Sequence, residues 1–96
     1  MTLVELLRER LAPLAPEILD VVDDSAAHAG HAGARDGGGH FQVLIVAAAF
    51  AGKAGVARHR LVYDAVRDLM PARIHALAIT ARTPDEYRRE VRMPAT

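Results

Sequence analysis

Five histidines in 96 residues are the side chains best suited to chemistry near neutral pH, because imidazole is a metal ligand as well as an acid or base there. His28 and His31 stand three apart in residues 26–39, a stretch of Ala and Gly with little to bury. That spacing lets both reach one metal ion, although two imidazoles leave a four-ligand site incomplete; a solvated loop is the other reading. His40 opens an apolar run and fits a capping or hydrogen-bonding role. His75 alternates with Leu77 and Ile79, so it is either a satisfied, partly buried imidazole or a side chain looking past the start of a strand. The chain has no cysteine, which removes a thiolate nucleophile, a redox disulfide and a thiolate ligand. Iron–sulfur chemistry would need thiols from elsewhere.

A second constellation is basic. Lys53 is followed by Arg58-His59-Arg60, whose guanidinium forks suit phosphate, and these cations open a helix, where they oppose its dipole. A solvated face is the alternative. Gly52-Lys53-Ala54-Gly55 matches the Gly-x-x-Gly loop that clamps a nucleic-acid backbone in KH domains. Gly30-His31-Ala32-Gly33 matches it as well, so the pattern discriminates little. A formal net charge of zero excludes a strongly basic nucleic-acid binder but permits a local basic face. No nucleophile triad, phosphate loop or dinucleotide fingerprint can be assembled. Asp23, Asp24 and Ser25 beside His28 hint at acid–base work, yet so small a chain offers little volume for dehydrating a substrate. A non-enzymatic protein is expected.

The elements that must position these residues follow from caps and periodicity. Thr2-Leu3-Val4-Glu5 is a capping box and Leu3, Leu6, Leu7 and Leu11 keep helical spacing, giving a helix over 3–11 that Pro13 and Pro16 end. Residues 17–25 read as a strand closed by Asp23-Asp24-Ser25, residues 26–39 as an exposed, mobile loop, and 40–48 as a central, apolar strand. Gly52 and Gly55 break that run. Leu61, Val62, Ala65, Val66, Leu69 and Met70 predict a long helix over 56–70 before Pro71. Residues 74–82 alternate as a third strand, with His75, Leu77, Ile79 and Ala81 on one face and Ile74, Ala76, Ala78 and Thr80 on the other. Thr83-Pro84-Asp85-Glu86 caps a last helix from Pro84.

The order α-β-β-α-β-α predicts an antiparallel hairpin, then a right-handed crossover to a parallel strand. This gives a three-stranded mixed sheet in an α+β two-layer sandwich, with all three helices on one face, as a single domain over 1–96. No apolar run approaches the roughly 20 residues that span a bilayer, and Met1–Arg10 mixes charged with apolar residues. A soluble, cytoplasmic protein with no membrane partner is expected.

Val21-Val22-Asp23-Asp24-Ser25, His28, His40-Phe41-Gln42-Val43, Phe50-Ala51-Gly52-Lys53, Arg58-His59-Arg60-Leu61-Val62-Tyr63, Ile74-His75-Ala76-Leu77 and Thr83-Pro84-Asp85-Glu86, in that order, resemble the BolA family. The resemblance covers nearly the whole chain and implies a fold related to class II KH domains. It also implies partnership with monothiol glutaredoxins of the Cys-Gly-Phe-Ser type, in complexes that hold a [2Fe-2S] cluster shared with the glutaredoxin and glutathione. There His75 is implied as a ligand and His28 as another, with His31 its alternative in the same loop. Some bacterial members are described as DNA-binding regulators of stress, morphology and biofilm behaviour, a role that maps onto Lys53, Arg58, His59 and Arg60. The chain alone is expected to be a monomer or weak homodimer without cofactor. It departs from the family pattern at Gly37-Gly38-Gly39, at Ala47 or Ala48 and at Tyr87; the glycines leave open which loop histidine would ligate.

Overall fold

The computed structural model describes residues 1–25 and 39–92. Its elements are α1 (Leu3–Leu11), β1 (Ile18–Asp23), β2 (Gly39–Val46), α2 (Gly55–Ala65), β3 (Ile74–Arg82) and α3 (Pro84–Arg92). The Thr2 hydroxyl accepts from the Glu5 N–H at 3.1 Å while the Glu5 carboxylate accepts from the Thr2 N–H at 3.1 Å, so the first capping box forms as its sequence predicts. After α1 the chain makes one 3₁₀ turn, Ala12–Leu14, and reverses at Ala15 with φ 52°. That left-handed backbone costs a non-glycine residue roughly 1–2 kcal/mol; a bond from its N–H to the Ala12 carbonyl at 2.9 Å offsets part of the cost.

The sheet order is β1-β2-β3, with β1 antiparallel and β3 parallel to the central β2. Phe41, Val43 and Ile45 of β2 and Leu77 and Ala81 of β3 are buried against Leu7, Leu11, Phe50, Val62, Val66 and Leu69. The opposite face carries Asp20, Val22, Gln42, Ala78 and Thr80, all exposed. The mixed three-stranded α+β architecture expected from the sequence is therefore the one observed. Among the described residues, no helix is long and apolar enough to cross a membrane.

Two element boundaries differ from expectation, and the helices divide the core unevenly. The long helix stops at Ala65 rather than Met70: the Val66 N–H is shared between the Val62 and Tyr63 carbonyls at 3.3 and 3.2 Å, and residues 67–69 tighten into a 3₁₀ turn. Met70 is extended, as a residue preceding proline must be, and the tighter turn still buries Val66 and Leu69. The three helices do not share the core equally, since α3 contributes no buried residue. Its Pro84 and Tyr87 instead border a cavity with Ile18 and Val46. Finally, Gly39 belongs to β2 rather than to the preceding loop; the rest of that loop, with His28 and His31, lies outside the described residues.

Candidate functional site

The parallel crossover brings the starts of β2 and β3 to the same end of the sheet, and each start carries a histidine. The pairing there is irregular. Gly39 aligns with Ile74 but His40 aligns with Ala76, so His75 is an extra residue with no partner in register. The backbone confirms the slip: Arg73 offers its carbonyl to Gly39 N–H at 3.1 Å and Arg82 offers its own to Ala47 N–H at 3.0 Å, so the parity facing β2 changes between them. Strict alternation would put His75 with Leu77 and Ile79 on the core face. The bulge gives that place to Ile74, which is fully buried, and leaves His75 exposed. This corrects the face assignment at the start of the strand.

His40 is held through its backbone. Its N–H donates to the Ser25 hydroxyl at 3.0 Å and its carbonyl accepts from the Asp24 N–H at 2.7 Å. Ser25 N–H in turn donates to the Asp23 carboxylate at 2.9 Å, and these contacts with Ser25 hold the Asp23 carboxyl below its ordinary range. The Asp-Asp-Ser motif thus acts as a clamp on the start of β2. The imidazoles of His40 and His75 lie 5.3 Å apart between ring centres, tilted by 47°. Nε2 of His40 is shut off from bulk water. Beside the pair, a shallow cavity of about 300 Å³ is bordered by Asp24, His40, Gln42, Ala76 and Ala78. The proximity of the two imidazoles was missed in reading the sequence, although two histidines at the starts of strands joined by a parallel crossover carry its signature.

The basic constellation separates into two parts. Lys53, His59 and Arg60 are exposed at the start of α2, where no acidic residue and no side-chain cap occupies the first turn. Arg58 is different. Its guanidinium grips Glu86 of α3 through both carboxylate oxygens at 2.6 and 3.0 Å, and donates further to the Lys53 carbonyl at 2.8 Å and the Ala81 carbonyl at 3.2 Å. That uses four of the five N–H donors of the fork. The hydrogen bond from Arg58, reinforced by the Thr83 N–H, lowers the Glu86 carboxyl to about 2. The sequence reading did not foresee this tie between α2 and α3.

Among the described residues, no three His, Asp or Glu side chains gather as a metal-binding group. The described part of the site offers two imidazoles at one sheet end and exposed cations at the start of α2.

A profile of the family described as BolA-like protein matches residues 10–86. The chain is 48% identical over 86 residues to SufE-like protein 1 of Arabidopsis thaliana, covering 83% of this chain and 23% of that protein. It is 42% identical over 72 residues to the DNA-binding transcriptional regulator BolA of Vibrio cholerae, covering 75% of this chain and 65% of that one. The chain thus spans about a quarter of the first relative and just under two thirds of the second. The solved structure of BolA1 from Arabidopsis thaliana superposes with a TM-score of 0.77 at 40% identity, covering 90% of this chain and 96% of that chain.

Proposed function

The chain belongs to the BolA family, and from that premise we propose that it is a cytoplasmic, non-enzymatic partner of a monothiol glutaredoxin in [2Fe-2S] cluster trafficking or iron homeostasis. The observation that carries this reading is the exposure of His75. A bulge lifts the imidazole out of the core row at the one sheet end where the segment bearing His28 and His31 begins and returns, between Ser25 and Gly39. The donor set fits a cluster carried as cargo: a chain without cysteine supplies neutral imidazole, and the thiolates come from the glutaredoxin and glutathione. Exchange of thiolate for imidazole raises the potential of such a cluster. The chain's own contribution is to keep His75 outward while Ile74 and Leu77 anchor the strand on either side.

Anaerobic reconstitution of the chain with a Cys-Gly-Phe-Ser glutaredoxin, glutathione, iron and sulfide tests this. His75→Ala is expected to leave the fold intact, change the visible absorption and shorten the lifetime of the cluster in the mixed complex. Separate His28→Ala and His31→Ala substitutions identify the loop ligand, with His28 expected. An unaltered cluster spectrum in His75→Ala rejects ligation by that residue.

A second reading, a DNA-binding regulator, is favoured by the exposure of Lys53, His59 and Arg60 around an uncapped helix start. Each phosphate contact contributes about 0.9 log unit of affinity per decade of salt. Lys53→Ala with Arg60→Ala is therefore expected to flatten the salt dependence of binding by nearly two such steps, across all sequences alike. Arg58 enters through Glu86, positioning α2 against α3. No binding at low salt ends this reading for the isolated chain.

A further inference from the structure

The sheet has two outer edges, and the chain finishes them differently. On β3 the outward carbonyls of Leu77 and Ala81 accept from Tyr63 and Arg58 of α2. On β1 the outward groups belong to Leu19, Val21 and Asp23. Asp24 N–H donates to the His40 carbonyl at 2.7 Å, and alternation along the same antiparallel register turns Val22 and Asp20 towards β2 as well. Among the described residues, no hydrogen bond reaches the outward backbone groups of Leu19 and Val21. Such a row is a template for one more strand. Leu19 and Val21 are half-buried on the core side and Val22 on the open face is 54% exposed, so an added strand would cover apolar surface left at the edge.

Charge decides what kind of strand fits. The charged residues of this segment are Glu17, Asp20, Asp23 and Asp24, all acidic. A second copy is disfavoured: pairing Leu19 with Val21 of another copy sets Asp20 against Asp20, and any register joins two segments that carry four carboxylates each and no cation. A segment with Lys or Arg at alternate positions meets the opposite condition. In an antiparallel addition, the residue opposite Asp20 lies in a non-hydrogen-bonded pair, where side chains approach most closely. Asp20 makes no ion pair among the described residues. We infer that the outer edge of β1 is a docking site for an extended, basic peptide segment of a partner protein. It adds antiparallel to residues 19–23, with its Lys or Arg side chains towards Asp20 and its apolar ones over Leu19 and Val21. Main-chain bonds to the outward groups supply affinity, and the carboxylates supply selectivity. The surface uses neither the histidines nor the cations of α2, so it stands apart from both readings above.

NMR titration of the full-length chain with a peptide of alternating Lys and Val, about eight residues long, tests the edge through amide shifts and hydrogen exchange. Exchange at the Leu19, Val21 and Asp23 amides is expected to slow, whereas Asp20 and Val22, already bonded to β2, change little. A Glu-Val peptide of the same length should not bind. Methylating the Val nitrogens of the Lys-Val peptide, which face β1 in this pairing, should abolish binding with the charge unchanged; methylating its Lys nitrogens should not. Asp20→Lys should weaken binding by at least about fivefold, because an opposite-charge pair becomes a like-charge one. Val21→Pro removes an outward donor from an edge strand, where proline is tolerated, and should block the peptide while denaturant unfolding shows an intact fold. Should that variant unfold, Asp20→Lys and the methylated peptides decide alone. Absence of binding, equal binding of the Glu-Val peptide, binding that leaves the outward amides unprotected, or undiminished binding by Asp20→Lys overturns the inference. So does protection of these amides on concentrating the chain alone, which would give the edge to a second copy.

Discussion

At the scale of single residues, the exposure of His75 depends on how the neighbouring backbone is filled. Gly39 faces the bulge, and a methyl group there would sit 2.4 Å from Cε2 of the Phe41 ring. Phe41 is only 3% exposed and packed in the core, so the ring has no open space to enter. Gly39→Ala is therefore expected to destabilise the chain by about 1–3 kcal/mol, as overpacking in a filled interior does, and to disturb the His40–His75 ring contact. Denaturant unfolding measures the first and the ring-proton shifts the second; a neutral Gly39→Ala would show that the start of β2 is looser than its contacts indicate. The same bulge marks where the sequence stops being readable. Alternation assigns a face to every strand residue by counting, and one inserted residue reverses the count without changing the pattern of residue types. His40 was legible as a residue with a structural anchor, but its nearness to His75 required combining strand direction with strand register.

At the scale of elements, caps and periodicity were enough for the helix starts, because Thr2 with Glu5 and Thr83 with Glu86 are local motifs whose bonds form within four residues. The long-range ties were not legible, since nothing local links Arg58 with Glu86 or Tyr63 with Leu77. Those ties have a further consequence. After the bulge, even-numbered carbonyls of β3 face β2 and odd-numbered ones face the free edge. Two of the latter are occupied from α2: Tyr63 donates its hydroxyl proton to the Leu77 carbonyl at 3.1 Å, and Arg58 donates to Ala81. An edge whose acceptors are taken is a poor template for another strand. Tyr63→Phe is expected to cost about 0.5–1.5 kcal/mol for the lost bond. The Tyr63→Phe/Arg58→Gln double variant should in addition self-associate with rising concentration in sedimentation experiments. A double variant that stays as monomeric as the parent would assign edge protection to something other than these two side chains.

At the scale of the molecule, zero net charge conceals a division. Between Glu17 and Asp24 every charged residue is acidic, and between Lys53 and Arg60 every charged residue is basic. Folding ties distant parts of the chain together by ion pairs, Arg10 of α1 with Asp68 at 2.9 Å and Arg58 with Glu86 at 2.6 Å. The hydrogen bond from Arg58 lowers Glu86 from 4.5 to about 2, and those from Arg10 and Ser25 lower Asp68 and Asp23. In each case the unfolded chain binds protons more readily than the folded one across the interval between the two values, so stability must rise with pH there. For Glu86 the stabilising effect is complete above the unfolded value of 4.5 and is lost as pH falls through about 2. The thermal midpoint is accordingly expected to be level near neutrality and to fall steadily from about pH 5 towards pH 2. Glu86→Gln, which cannot ionise, should begin from a lower midpoint and fall less steeply over that interval, while Asp68 and Asp23 keep the remaining slope. Parallel acid limbs for the two proteins would show that the α2–α3 clasp contributes no proton linkage and that acid sensitivity resides in the other two carboxylates.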